Sequence, residues 1–257
     1  MAGLFANKAV LVTGGGSGMG KSAAQRFAEE GGRVCVVDLK GDAAEYVANA
    51  IRDAGGDAFA CQADIAIEAD NERMVRETVV RYGGLDVAFL NAGFLGPDLD
   101  FFETDAASFD KVMSVNLRGC FFGMKHAGRA MRPGGAVVVT ASTAALSANQ
   151  YNAAYTASKH GALGLVKGAA EAFAAKGLRV NAICPGVVST PLIGMKEASD
   201  RPIAPEQLQQ SSFAGIGQAQ HIAELALFLA GPRASFITGA AYIADGGLMS
   251  NIPTARL

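Results

Sequence analysis

The sequence predicts an α/β fold, a doubly wound parallel sheet with helices on both faces, in one domain spanning residues 1–257. Three observations predict it. Short apolar runs alternate with amphipathic stretches along the chain. Most runs are apolar at consecutive rather than alternate positions, as strands covered on both faces are. A glycine-rich turn joins the first run to the first amphipathic stretch. In chain order, Ala9–Val12, Val34–Val37, Ala58–Cys61, Val87–Leu90, Ala136–Val139, Val180–Cys184 and Ala240–Ala244 predict seven strands. The first helix is predicted over 19–30, where Met19, Ala23, Ala24, Phe27 and Ala28 share one stripe. Further helices are predicted near 42–53, 68–81, 105–131, 152–175 and 219–230. Residues 191–217, with Pro191, Pro202 and Pro205, break the pattern and read as a lid over the substrate.

Composition narrows the function. Half of the 257 residues are hydrophobic and 18% are charged, which excludes a disordered chain. Lys plus Arg is 22 against 24 Asp plus Glu, a balance without the basic excess a nucleic-acid binder needs. Cys35, Cys61, Cys120 and Cys184 form no C-x-x-C pair and read as inert buried thiols in a reducing compartment. His126, His160 and His221 have no metal-ligand spacing, so no metal is expected. Residues 133–158 carry no charge, but Pro133, Asn149, Gln150 and Asn152 argue against a membrane span. Met1 to Lys8 is too short and too weakly apolar for a signal peptide, so a soluble, cytoplasmic protein is expected.

Five glycines fall between residues 14 and 20, where the first strand meets its helix. Such a turn lets backbone N–H groups of Gly14, Ser17, Gly18, Met19 and Gly20 reach phosphate oxygens at a positive helix end. The spacing differs from the usual G-x-G-x-x-G, so position between strand and helix carries the reading. Asp38 ends the second strand, 18 residues past Gly20, with Leu39 beside it. Alone it would be read as a turn cap. After this turn it is read as the carboxylate that accepts hydrogen bonds from an adenosine ribose. It would repel a 2′-phosphate at about 4 Å by ~4 kcal/mol per unit charge at an effective dielectric of 20, which favours NAD over NADP. Tyr155 and Lys159 stand four residues apart on one predicted helix face, a weak signal alone. Ser142 follows the run Val137–Val139, at the strand edge where open α/β sheets bind ligands.

With these segments in this order, the chain resembles the short-chain dehydrogenase/reductase family over about residues 5–249. The matching residues are Thr13–Gly20, Asp64, Asn91-Ala92-Gly93, Asn116 within Ser114–Leu117, Ser142, Tyr155-x-x-x-Lys159, Pro185-Gly186, Thr190, Thr238-Gly239 and Asp245–Gly247. One departure is that Ala141 stands where the family usually has a serine before the catalytic one. The resemblance implies a Rossmann-type sheet of about seven strands in the order 3-2-1-4-5-6-7. It implies an NAD-dependent enzyme that moves a hydride between the cofactor and a secondary alcohol or ketone. By the resemblance Tyr155 is the acid/base and Lys159 favours its phenolate and fastens the nicotinamide ribose. A phenol ionises near pH 10, so at pH 7 only ~0.1% would otherwise be charged. Ser142 would hold the substrate oxygen, and Asn116 would position a water that links Lys159 to solvent. Asp64 and Ile65 would meet the adenine, and Asn91, Ala92 and Gly93 the adenosine side. Pro185, Gly186, Val188 and Thr190 would grip the nicotinamide.

The substrate cleft is expected to be lined by Ser142, Ala144, Gln150, Tyr151, Tyr155, Val187 and the segment from Leu192 to Phe213. Its apolar members suggest a secondary alcohol on a carbocyclic, aromatic or aliphatic frame. The alternatives are a reductase of 3-oxoacyl groups on an acyl carrier protein and, from another class, a non-catalytic NAD-binding regulator. His160, about 100° around the helix from Lys159, is read as a packing residue. Similar proteins are commonly homotetramers, so a homotetramer is expected, with small-molecule partners and neither nucleic acid nor membrane.

Overall fold

The computed structural model describes residues 3–97, 99–148, 152–194 and 216–250. The elements in order are β1 (Ala9–Thr13), α1 (Gly18–Glu29), β2 (Arg33–Asp38), α2 (Gly41–Asp53), β3 (Asp57–Gln62), α3 (Glu68–Tyr82) and β4 (Leu85–Leu90). Then come α4 (Ala106–Met113), α5 (Gly119–Ala130), β5 (Met131–Thr140), α6 (Ala153–Ala174), β6 (Arg179–Pro185), β7 (Val188–Ser189), β8 (Gly217–Gln218), α7 (Ala219–Ala230) and β9 (Ala241–Ala244). Seven strands form one sheet in the order β3-β2-β1-β4-β5-β6-β9, every neighbouring pair parallel. This is the predicted order. The last strand is ninth in the chain because β7 and β8 form a separate two-residue ladder.

Both faces of the sheet are covered, which is why the strands lack polar alternation. Leu11, Val137 and Val139 pack on one face with Met74, Met124, Leu163 and Phe173, from α3, α5 and α6. Val10, Val12 and Val138 pack on the other with Phe27, Val47, Ile222 and Leu229, from α1, α2 and α7. The chain reverses direction across the sheet between β1 and β4, and the C-terminal ends of these strands open a crevice there.

The helix expected over 105–131 is interrupted. A π-turn at Ser114–Arg118 separates α4 from α5. Its cause is lateral: the wider turn takes Asn116 out of α-helical register, and its side chain bonds the backbone of Phe94 at both N and O, each at 2.8 Å. The hydrophobic period runs on through such a turn, so the pattern alone reads as one helix. No described helix is long and apolar enough to cross a membrane.

Candidate active site

Two adjoining clefts occupy the crevice. The first, about 580 Å³, is lined by Gly14, Ser17, Asp38, Leu39, Asp64 and Ile65, among others. The second, about 670 Å³, is lined by Ser142, Tyr155, Lys159, Pro185, Gly186 and Val188, among others. Met19, Asn91, Gly93, Thr190 and Leu192 belong to both linings, so the two form one groove across the strand ends.

The glycine-rich turn is built for close approach. Gly18 has φ +51°, and a Cβ at Gly20 would lie 2.0 Å from the Gly14 carbonyl oxygen. Ser17 occupies the cap position of α1 without a capping side-chain bond, leaving the positive helix end facing the groove. Asp38 is held rigidly: one carboxylate oxygen accepts from Gly16 N and the other from Lys40 N, each at 3.0 Å. Asp64 Oδ1 accepts from Ala66 N at 2.9 Å, which curls the loop that presents Ile65. Asn91 is a rivet as well as a lining residue. Its N–H and that of Ala92 donate to Thr13 Oγ1 at 3.0 and 3.1 Å, and its Oδ1 accepts from Thr140 Oγ1 at 3.1 Å. The ends of β1, β4 and β5 are thereby locked together.

Around Tyr155 the geometry is set by α6. Asn152 caps the helix by accepting from Tyr155 N at 2.8 Å and donates to the carbonyls of Leu95 and Pro97 at 2.5 and 3.2 Å. Lys159 is buried; its ammonium donates to Thr140 O at 2.9 Å and lies 5.5 Å from the centre of the Tyr155 ring. Ser142 sits just past β5, its Oγ accepting from Ala144 N at 3.1 Å. The Asn116 amide gives both its donor bonds to protein, one to Phe94 O and one to Ser158 Oγ at 3.0 Å. It is thus a strut between α6 and the loop after β4. A phenol, a buried ammonium and a hydroxyl on one cleft can exchange a proton with a substrate oxygen and hold the charge that develops there.

Over residues 14–249 the chain matches the family model described as enoyl-(acyl carrier protein) reductase. It is 38% identical over 252 residues to the cyclohexanol dehydrogenase of Acinetobacter sp. (strain SE19), covering 97% of this chain and 98% of that one. The chain belongs to the short-chain dehydrogenase/reductase family. Its fold agrees: it superposes on the crystal structure of a levodione reductase with a TM-score of 0.86, at 32% identity, covering 96% of this chain and 100% of that one. It also matches a short-chain dehydrogenase from Burkholderia cenocepacia J2315 in complex with NADP, with a TM-score of 0.83 at 29% identity over 94% and 98% of the two chains. As a short-chain dehydrogenase/reductase it is an oxidoreductase acting on the CH–OH group with a nicotinamide dinucleotide.

Ala144, Val187 and Leu192 line the second cleft as expected. Gln150, Tyr151 and most of the segment 191–217 lie outside the described residues, as does the tail 252–257. Ile193, at the start of the segment expected there, also lines it, whereas the sequence reading missed Leu95, Leu248 and Met249. Leu95 follows Asn91-Ala92-Gly93 closely enough to have been suspected; Leu248 and Met249 reach the cleft only through the fold. His160 is exposed, its Nδ1 3.0 Å from Thr156 O, and is absent from the lining. Burial pushes the Cys120 thiol up to about 12 and raises Cys184, which keeps both protonated beside Lys159.

Proposed function

We propose that this short-chain dehydrogenase/reductase interconverts an uncharged secondary alcohol and its ketone on an apolar, alicyclic frame, with NAD(H) preferred over NADP(H). The observation that carries this is the second cleft. Lys159 is the one charged side chain in its described lining, and Leu95, Ala144, Val187, Leu192, Leu248 and Met249 supply apolar walls. A neutral ring fits such walls. A thioester on an acyl carrier would call for a cationic rim, and the described lining supplies none. Relatives named for cyclohexanol and for levodione support the same substrate class.

Ser142 Oγ holds the substrate oxygen. Tyr155 moves the proton at that oxygen. Lys159, fixed by Thr140 O, stabilises negative charge on the phenol oxygen and fastens the nicotinamide ribose through one further N–H. Asn116 holds the strut to Phe94 and Ser158, which sets the height of α6 against the groove. The nicotinamide, when bound, supplies the hydride acceptor or donor. Residues 14–20 hold the pyrophosphate and Asp38 the adenosine ribose. Asp64, Ile65, Asn91, Ala92 and Gly93 form the adenosine walls, and Pro185, Gly186, Val188 and Thr190 the nicotinamide wall. The segment expected to serve as a lid lies mostly outside the described residues; its two ends, β7 and β8, pair with each other. The enzyme works as a homotetramer, which would cover some of Phe101, Phe102, Phe109, Phe121 and Phe236, all exposed in one chain.

The test is an absorbance assay of NADH formation over a panel of cyclic and open-chain secondary alcohols, run with NAD and with NADP. Turnover on cyclic alcohols with NAD supports the reading. Turnover confined to acyl-carrier thioesters, or equal use of NADP, contradicts it.

A further inference from the structure

Asn71 belongs to none of the motifs above, yet it is fully buried on α3 and lines one small cavity with Lys159. Its Nδ2 donates to Ile65 O at 2.7 Å and to Ile67 O at 2.9 Å. Both donors are therefore used on the loop that walls the adenosine cleft. Its Oδ1 has no hydrogen-bond donor from the described residues. A buried amide oxygen left so is costly, and such groups in folded proteins are ordinarily satisfied by an ordered water when protein supplies no partner.

Beside it lies a third cavity, about 10 Å³, the size at which one water begins to fit. Asn71, Thr13, Asn116, Thr140 and Lys159 line it, with Cys120 on the α5 side. A buried water needs two to four polar partners, and this lining holds them. Lys159 has three N–H donors and gives one to Thr140 O.

We propose that Asn71 is a positioning residue: its Oδ1 anchors a single buried water that accepts a hydrogen bond from the Lys159 ammonium. The inference rests on the acid/base reading of Tyr155 and Lys159. The water oxygen accepts from Lys159, and one water hydrogen points at Asn71 Oδ1. That chain of donors favours the charged ammonium and fixes where it stands beneath the Tyr155 ring. Asn71 then serves two parts of the groove at once, the adenosine wall through its donors and the proton-transfer site through its acceptor. The titratable groups facing Lys159 are Tyr155 on its own helix, Cys120 on α5 and Cys184 on β6. On the Asn71 side stand Asp64 and Asp70, the latter turned to Asp64 N and Arg73.

The experiment combines a high-resolution crystal structure of the full chain with pH profiles of kcat for two variants. The expected density is one water within hydrogen-bond distance of both Asn71 Oδ1 and Lys159 Nζ. Asn71→Leu removes the acceptor and the donors together. Cys120→Val crowds the cavity while leaving the Ile65 and Ile67 bonds in place, and it stands in should Asn71→Leu fail to fold. The acidic limb of the profile is expected to move up by about half a pH unit or more in each variant, the worth of one hydrogen bond. A weaker NAD affinity is expected in Asn71→Leu alone. A dry cavity, a water out of reach of Lys159, or an unmoved acidic limb in both variants overturns the proposal. Should Tyr155→Phe retain full turnover, the acid/base reading itself fails, and the density still reports separately whether the water is there.

Discussion

Asp38, Tyr155, Lys159 and Asn71 are single side chains whose neighbours decide their work. Asp38 stands out in the sequence because a carboxylate after a glycine-rich turn has few uses. Its two backbone bonds, to Gly16 and Lys40, account for a fixed rather than a mobile charge. Asp38→Ala is expected to raise the kcat/KM ratio of NADP to NAD by about tenfold or more, equivalent to at least ~1.4 kcal/mol, measured by parallel assays with the two cofactors. Lys159→Ala is expected to lower kcat by roughly a hundredfold or more at neutral pH, since the charge beside the Tyr155 ring is lost. Asn71 carried no sequence signal. An asparagine on a polar helix reads as solvated, and only packing against α5 and the strand ends shows it buried.

The helices and strands were readable wherever one face is simply buried. α1, with Phe27 in the core, and the wholly buried β1 and β4 are examples. The π-turn at Ser114–Arg118 was not, because it answers a bond made far along the chain, from Asn116 to Phe94. α6 is held by its cap. Asn152→Ala removes the Tyr155 N–H bond and two carbonyl bonds, and is expected to cost about 2 kcal/mol, a Tm fall of roughly 4–8 °C by calorimetry. α7 begins with a pH-sensitive cap: His221 Nδ1 accepts from Gln218 N at 3.1 Å, which needs the neutral ring. Burial lowers the His221 pKa from 6.5. A depressed histidine binds its proton more readily in the unfolded chain, so this contribution is present above about pH 6.5 and lost as pH falls below it. Thermal melts should show the wild type losing Tm below that pH more steeply than His221→Asn.

At the scale of the whole molecule, the layered sheet follows from apolar runs too continuous for a one-sided strand, and the groove follows from the reversal between β1 and β4. The walls of the second cleft were less legible, because Leu95, Leu248 and Met249 come from separate parts of the chain that only the fold brings together. Phe102 and Phe236 are 89% and 101% exposed, a cost that assembly would remove. Light scattering should therefore give about four times the 26.3 kDa chain mass, and a single 26 kDa species would contradict the tetramer. The most direct measurement is NADH formation by Tyr155→Phe on the best alcohol of the panel, read beside its NADH affinity. The account predicts that kcat falls by about 10²-fold to 10⁴-fold while cofactor affinity stays within about threefold of wild type. A variant that keeps wild-type turnover would contradict the assignment of proton transfer to that hydroxyl.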